Sequence, residues 1–345
     1  MELKNIIQRY QTPFFSKYGN RLEHRHHQAM AATLNCRTEH FGEMRLRCMP
    51  CDREISLFHS CGHRSCPRCQ NHDTTLWLER QQQKLLPVDY FMVTFTLPYE
   101  YRALVWKNQA LFYTLIFQCA ISTLKDFGLN EKALGGDLGL TAVLHSHSRR
   151  LDFHPHVHII VPGGCINKKR KQWIKLKDKY LFNEFALASV FRGRFLAAVS
   201  EAGFVPPKAP PKWVVNCEHV GHGLPALKYL SRYLYRGVIS EKSILSDDGV
   251  NVTFRYLDSK SKSYKTKTVK GEDFLWLVFQ HVLPKQFRRA RDFGFLHGNA
   301  KKILRLVQWV LKVIITQPEE KPRPSCHCRL CGTPMAMVGN TFRSD

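Results

Sequence analysis

Six of the twelve cysteines in this 345-residue chain fall between Cys36 and Cys69, and four of them form two short pairs, Cys48-x2-Cys51 and Cys66-x2-Cys69. Each pair can present two thiolates to one tetrahedral ion, and a small loop-rich segment has few other ways to hold itself together. The stretch is therefore expected to fold around structural zinc rather than around a conventional core. Cys36 and Cys61 are expected to complete one or two sites, with His63 as a further candidate and His59 close by in sequence. A redox role fits less well, because no βαβ pattern surrounds either pair and Pro67 sits inside the second. The plain alternative, buried apolar thiols, does not account for the paired spacing. A later trio, Cys326, Cys328 and Cys331, follows the proline-rich run QPEEKPRPS. Three thiols cannot close a four-ligand site, so either His327 or a residue elsewhere completes it, or the segment is a reduced tail.

Lysine and arginine number 52 against 28 acidic residues, and the resulting charge of +24 is spread along the chain. Such a field favours a polyanionic partner. Membrane surfaces also attract basic proteins, but the longest apolar stretch, around Leu306 to Ile315, is broken by Lys312. It is well short of the roughly 20 residues a span requires. Residues Met1 to Tyr10 contain no apolar signal core, and clustered rather than dispersed cysteines suit a reducing compartment. A cytoplasmic, metal-binding protein is the expectation.

Beyond the cysteine-rich stretch the pattern changes. DYFMVTFTLP, from Asp89 to Pro98, reads as a buried strand, and an amphipathic helix is expected from about Tyr101 to Phe127. Strands follow at Leu138 to Ser146 and His156 to Val161, joined by a polar connection from Ser148 to Phe153. Helices are expected at Leu22 to Leu34, Phe182 to Ala202, Gly223 to Tyr235, Gly271 to Val282 and Ala300 to Thr316, with strands at Trp213 to Cys217 and within Val252 to Val269. Helices and strands mix without a βαβ rhythm, so the expected class is α+β with a largely antiparallel sheet. The expected division is a zinc-binding domain over residues 1–84, a main domain over 85–317, and a proline-rich linker with its cysteine cluster over 318–345.

Two constellations in the main domain carry chemistry. In FHPHVHIIVPGG, His156 and His158 alternate with Val157, which puts both imidazoles on one face of a strand, roughly 7 Å apart along the chain. They could share a divalent ion with positions left open for a phosphate oxygen. The competing reading is a pair of histidines hydrogen-bonded on a sheet surface. In LKYLSRYLYRG, Tyr229 and Tyr233 are four apart and share a helix face, with Arg232 and Arg236 able to supply positive charge near a phenol. Alone, this helix would read as amphipathic packing. Basic runs at Lys168, Lys169, Arg170 and Lys171, beside Trp173, and from Lys260 to Lys270, around Tyr264, could follow a phosphate backbone or be solvated loops.

Taken in order, the knuckles ending CPRCQ, then FMVTFTLP, HPHVHIIVPGG, YLSRYLYR and HVLPKQFRRARDFGFL resemble the insertion-sequence transposases of the IS91 type. The likeness runs from about Ile6 to Met335. It implies an HUH-endonuclease-like antiparallel sheet with flanking helices, preceded by a small zinc-binding domain. It also implies a catalytic Mg or Mn ion on His156 and His158 with a third ligand among His145, His147, Asp152 and His154, His154 and His145 foremost, and attack on single-stranded DNA by Tyr229 and Tyr233 in rolling-circle transposition. A prokaryotic, nucleoid-associated location follows from the same resemblance. The chain has Gly62-His63-Arg64-Ser65 between its last four cysteines and Arg236-Gly237-Val238 after the tyrosines, where family members often differ. No G-x4-G-K-[ST] loop occurs, in keeping with transesterification that needs no ATP. Two other readings use the same residues differently: a replication initiator or relaxase with the same chemistry, and an inert zinc-containing DNA-binding protein.

Overall fold

The computed structural model describes residues 1–69, 71–130, 134–234, 238–258, 261–314 and 325–342, without the side chains of residues 71, 72 and 232–234. The chain packs as two compact units, each assembled from separated stretches of sequence.

The first unit combines Met1–Asp73, Tyr235–Val282 and Gln317–Asp345, so it does not coincide with a linear division at 84/85 and 317/318. Its helices are α1 (Leu3–Tyr18), α2 (His24–Leu34) and α8 (Gly271–Phe279). Apolar residues of α1 recur at helical spacing, and Ile6, Ile7, Tyr10 and Phe14 are all buried. Phe14 packs 6.4 Å from Phe279, Tyr18 stacks at 4.7 Å on Trp276, and the Tyr10 ring lies where a Cβ on Gly271 would fall, 2.3 Å away. Glycine is thus required at the start of α8. A three-stranded sheet β11-β10-β9 (Tyr264–Lys270, Asn251–Leu257, Ile244–Asp247) adjoins α8. A second small sheet orders β13-β1-β2 (Ala336–Asn340, Glu43–Cys48, Arg53–Phe58), so the end of the chain pairs with its beginning.

His26 lies fully buried in α2, where its Nδ1 accepts the Glu23 amide at 2.9 Å. Burial, reinforced by Arg25, holds its pKa down at about 4. The unfolded chain takes up this proton near 6.5, so the neutral native form is fully favoured above that pH and loses ground as pH falls towards 4. Stability of this unit is expected to drop by roughly 3 kcal/mol across that window. Denaturant midpoints measured from pH 7 to pH 4 should show the drop and should flatten in His26→Gln; an identical slope in the variant would refute the assignment.

The second unit, Thr74–Leu234 with Leu283–Thr316, is built on a five-stranded antiparallel sheet. Its order is β12-β4-β5-β3-β8, with β12 Ala290–Gly294, β4 Gly139–His147, β5 Phe153–Pro162, β3 Asp89–Thr96 and β8 Val214–His222. Period-two alternation sends Phe91, Val93 and Phe95 of β3, Leu140, Ala142 and Leu144 of β4, and Val157, Ile159 and Val161 of β5 into one large core. Helices α5 (Gln109–Asn130) and α6 (Glu184–Glu201) close that face with Phe112, Phe117, Phe191 and Phe195. The opposite face carries Thr94, Thr141, Val143, His145, His156 and His158. Helix α7 (Gly223–Leu234) packs across β3, β4, β5 and β8, its Ala226, Leu227 and Leu230 buried. A hairpin β6-β7 (Gly164–Asn167, Gln172–Lys175) and helices α3 (Asn71–Gln82), α4 (Arg102–Lys107) and α9 (Lys301–Val310) complete the elements.

The expected class holds: α+β, with antiparallel sheets and flanking helices. The helix expected over Tyr101–Phe127 is two helices, because Asn108 leaves the helical region at φ −132°, ψ 46° and caps α4 through Nδ2 to the Leu104 carbonyl. The strand expected at Trp213–Cys217 runs on to His222 past an irregularity opposite Tyr90 and Phe91, and the last helix stops at Val310. Among the described residues, no helix is long and apolar enough to cross a membrane.

Candidate metal centre and tyrosine helix

Register across β4 and β5 sets the central site. His156 pairs with His145, and His158 pairs with Val143 on one side and Thr94 on the other, which brings three imidazoles together on one face. The His145 and His158 rings are 4.4 Å apart, His156 and His158 4.9 Å, His145 and His156 5.1 Å. One nitrogen from each lies within 4.8 Å of the others. All three residues are buried. Burial first, and then mutual repulsion among the imidazoles, holds His145 and His156 well below the ordinary pKa; burial and then His154 bring His158 down to about 4. Neutral rings with available lone pairs result.

The hydrogen bonds sort the nitrogens. His156 Nδ1 lies 2.7 Å from the His154 carbonyl, which can only accept, so Nδ1 carries the proton and Nε2 keeps the lone pair that a metal can take. His158 Nδ1 meets the Thr94 hydroxyl at 2.8 Å, fixing that ring through the same edge. Such outer contacts orient metal-binding imidazoles. A three-nitrogen set with a buried floor fits a divalent ion with open positions.

His154 is not part of this group. Its Nδ1 accepts from the Arg102 guanidinium at 2.8 Å, which leaves Nε2 as the protonated nitrogen. Burial and Arg102 hold its pKa at about 4. Of the two foremost candidates for the third position, the structure thus brings in His145 and leaves His154 outside. Asp152 is engaged in a loop bond with Ser148, and His147 lies past a register shift in β4.

Helix α7 brings Tyr229 edge-on to His158 with ring centroids 6.0 Å apart. Gly223 allows the helix to begin this close to the sheet: a Cβ there would fall 2.6 Å from Leu85 and 2.9 Å from Tyr90. Tyr233 stands one turn further along α7; its side chain and that of Arg232 lie outside the description, and Arg236 lies outside the described residues.

Positive charge gathers near one edge of the same sheet. Lys285, Gln286, Phe287, Arg288 and Arg291 line, with Thr114, a hollow of about 340 Å³ that has no carboxylate in its wall. The Arg291 guanidinium lies over Phe117 and Phe287, 4.5 and 5.0 Å from the ring centroids. Arg289 accepts the Leu144 amide through its carbonyl at 3.0 Å, and its charge further depresses His145. Motif reading assigned these residues no role, although four cations in seven positions, Lys285 to Arg291, were the signal. Lys168, Lys169, Arg170 and Lys171 form the exposed tip between β6 and β7, where Lys168 pairs with Asp137 at 3.1 Å.

In the first unit the cysteines segregate into two groups of four, each with its sulfurs within 4.8 Å of one another. Cys36, Cys61, Cys66 and Cys69 form one, with Cys69 3.4 Å from both Cys36 and Cys61. The second unites Cys48 and Cys51 with Cys328 and Cys331. The neighbouring knuckles therefore do not share a site; of the C-terminal trio, Cys328 and Cys331 join Cys48 and Cys51 rather than His327, and Cys326 stays outside. Tetrahedral zinc–thiolate geometry places sulfurs about 3.8 Å apart, so both groups fit the ion. His63 stays outside, its Nδ1 accepting the Ser65 amide at 3.1 Å.

Two family models match this chain: one described as a transposase zinc-binding domain over residues 6–97, the other as a putative transposase over residues 139–303. A putative transposase of Sinorhizobium fredii (strain NBRC 101917 / NGR234) is 31% identical, the match covering 94% of this chain and 87% of that protein. The transposase for insertion sequence element IS801 of Pseudomonas savastanoi pv. phaseolicola is 27% identical over 78% of this chain and 70% of its own length.

Proposed function

This chain belongs to the IS91-type transposases, and we propose that it cleaves and rejoins single-stranded DNA at the ends of its element through a 5'-phosphotyrosine, in rolling-circle transposition. The observation that carries this reading is Tyr229 lying beside the three converging imidazoles of His145, His156 and His158. An inert DNA-binding module has no use for that combination.

A Mg or Mn ion on these histidines would polarise the scissile phosphate and offset the charge gathered during attack. The protein's own groups do the rest. The Tyr229 phenolic oxygen forms the new bond to phosphorus as the bond to the 3' oxygen breaks; the phenolic proton is released, and the departing oxygen takes one up as a 3' hydroxyl. One phosphate ester replaces another, so the strand can later be rejoined without ATP. Tyr233, one helical turn on, is a second nucleophile that permits a second cleavage before the first strand is released. Lys285, Arg288 and Arg291, together with the tip at Lys168–Lys171, supply phosphate contacts, and Arg232 and Arg236 contribute positive charge close to the tyrosines. Zinc on the cysteines is structural.

The test is incubation of the full chain with labelled single-stranded DNA carrying the element's ends and Mg or Mn, resolved on denaturing gels. A metal-dependent covalent adduct that disappears in Tyr229→Phe/Tyr233→Phe is expected. Cleavage that leaves no adduct, or an adduct retained in the double variant, would overturn the tyrosine mechanism.

A further inference from the structure

We infer that the chain holds a second structural zinc ion on Cys48, Cys51, Cys328 and Cys331, a site built from both ends of the sequence that staples the C-terminal strand to the N-terminal hairpin. Neither family match reaches this site's C-terminal half, since they end at residues 97 and 303.

The two halves of the site have the same local form. Each is a C-x2-C turn whose following residue takes the left-handed conformation, Asp52 at φ 48° and Gly332 at φ 72°. In each, an amide inside the turn points back at the first sulfur: that of Cys51 at Cys48, and those of Leu330 and Cys331 at Cys328. Backbone amides so aimed favour thiolates and orient them, as outer contacts do in metal sites generally. The halves then meet face to face, with Cys48 and Cys331 sulfurs 3.4 Å apart. Two such turns supply the four soft ligands of a closed tetrahedral site.

Packing leaves a role for the ion to fill. Strand β13 pairs with β1 from Met44↔Asn340 to Arg47↔Ala336, with an irregularity at Arg45/Leu46. Little apolar burial accompanies those hydrogen bonds: Leu57, Phe58, Met337 and Val338 are all exposed at 40% or more, and Leu46 is the one well-buried apolar side chain on the three strands apart from Cys48. A three-stranded sheet with one buried apolar side chain is not self-supporting in water. The ion provides the missing cross-link between positions 283 residues apart in the sequence. Cys48 and Cys328 are buried whereas Cys51 and Cys331 are exposed, so the site opens to solvent on one side.

The experiment is elemental analysis of the full chain purified under reducing conditions. Two zinc ions per chain are expected, falling to one in Cys328→Ser/Cys331→Ser and staying at two in Cys326→Ser, whose thiol lies outside the group. Because a serine variant can lose metal simply by unfolding, the wild-type chain is also refolded with Co(II) and its thiolate-to-metal absorption titrated. Saturation at two equivalents is expected. Saturation at one, or a double variant that keeps two zinc ions, would overturn the proposal.

Discussion

His145→Ala is expected to remove metal-dependent adduct formation by about 10³-fold or more, whereas His154→Ala should stay within about tenfold of wild type. The contrast follows from the register of one strand pair. His145 faces His156 across β4 and β5, with its ring 4.4 Å from that of His158. His154, two residues before His156 on β5, turns its Nδ1 to Arg102. On the proposed mechanism, a divalent ion held by the three imidazoles would supply several kcal/mol of charge stabilisation and would be lost with any one of them. Thr94→Val probes the layer behind: it removes the hydroxyl that fixes His158 and should cost 10–100-fold, on the order seen when an outer-shell partner is lost. Gel quantification of adduct against Mn concentration separates weakened metal binding from lost chemistry. Equal loss in His145→Ala and His154→Ala would refute the assignment of the third ligand.

Cys66→Ser/Cys69→Ser is expected to abolish zinc binding at the Cys36 group and to unfold its surroundings. Structural zinc contributes on the order of 10 kcal/mol at neutral pH, comparable to the whole stability of an ordinary domain. The segment between α2 and α3 has little else: β2 is exposed along most of its length, and Cys36 and Cys66 are themselves among its few buried residues. The amides of His63, Arg68 and Gly62 point at the sulfurs of Cys61, Cys66 and Cys69, so the loop conformation is organised around the thiolates. Limited proteolysis should find new cleavage between residues 36 and 69 in the variant, with the core around α5 and β3 still resistant. A variant as resistant as wild type throughout would show that the loop folds without metal.

Four strands of the central sheet were legible in the sequence as short runs rich in apolar residues, and in β5 histidines stand at alternate positions. The spacing of His156 and His158 alone placed them on one face, and periodicity placed Tyr229 on a helix. Pairing between distant strands was not legible. His145 enters the site only through register with His156, and nothing in the local pattern around residues 139–147 distinguishes it from His147. The cysteine partition was hidden for the same reason. Proximity in sequence favours joining Cys48 and Cys51 to Cys66 and Cys69, yet the first pair closes with residues nearly 300 positions away. Helix α1, with Pro13 inside it, lies outside the expected elements although Leu3, Ile6, Ile7, Tyr10 and Phe14 have helical spacing. Strand β12 lies in a stretch crowded with arginine, where no apolar run marks it.

Interleaving of the first unit has a consequence for synthesis. The chain emerges from the ribosome N-terminus first, and domains fold as their residues become available. By the time residue 316 has appeared, every element of the five-stranded sheet is present. The unit that contains residue 1 must still wait for Cys331, and until then Cys48 and Cys51 lack the two cysteines they are grouped with. A frameshift or stop codon just before Cys326 would therefore spare the histidines and tyrosines while damaging a unit that also holds residues 1–73. A lesion near codon 328 would be read out in the fold around residue 48.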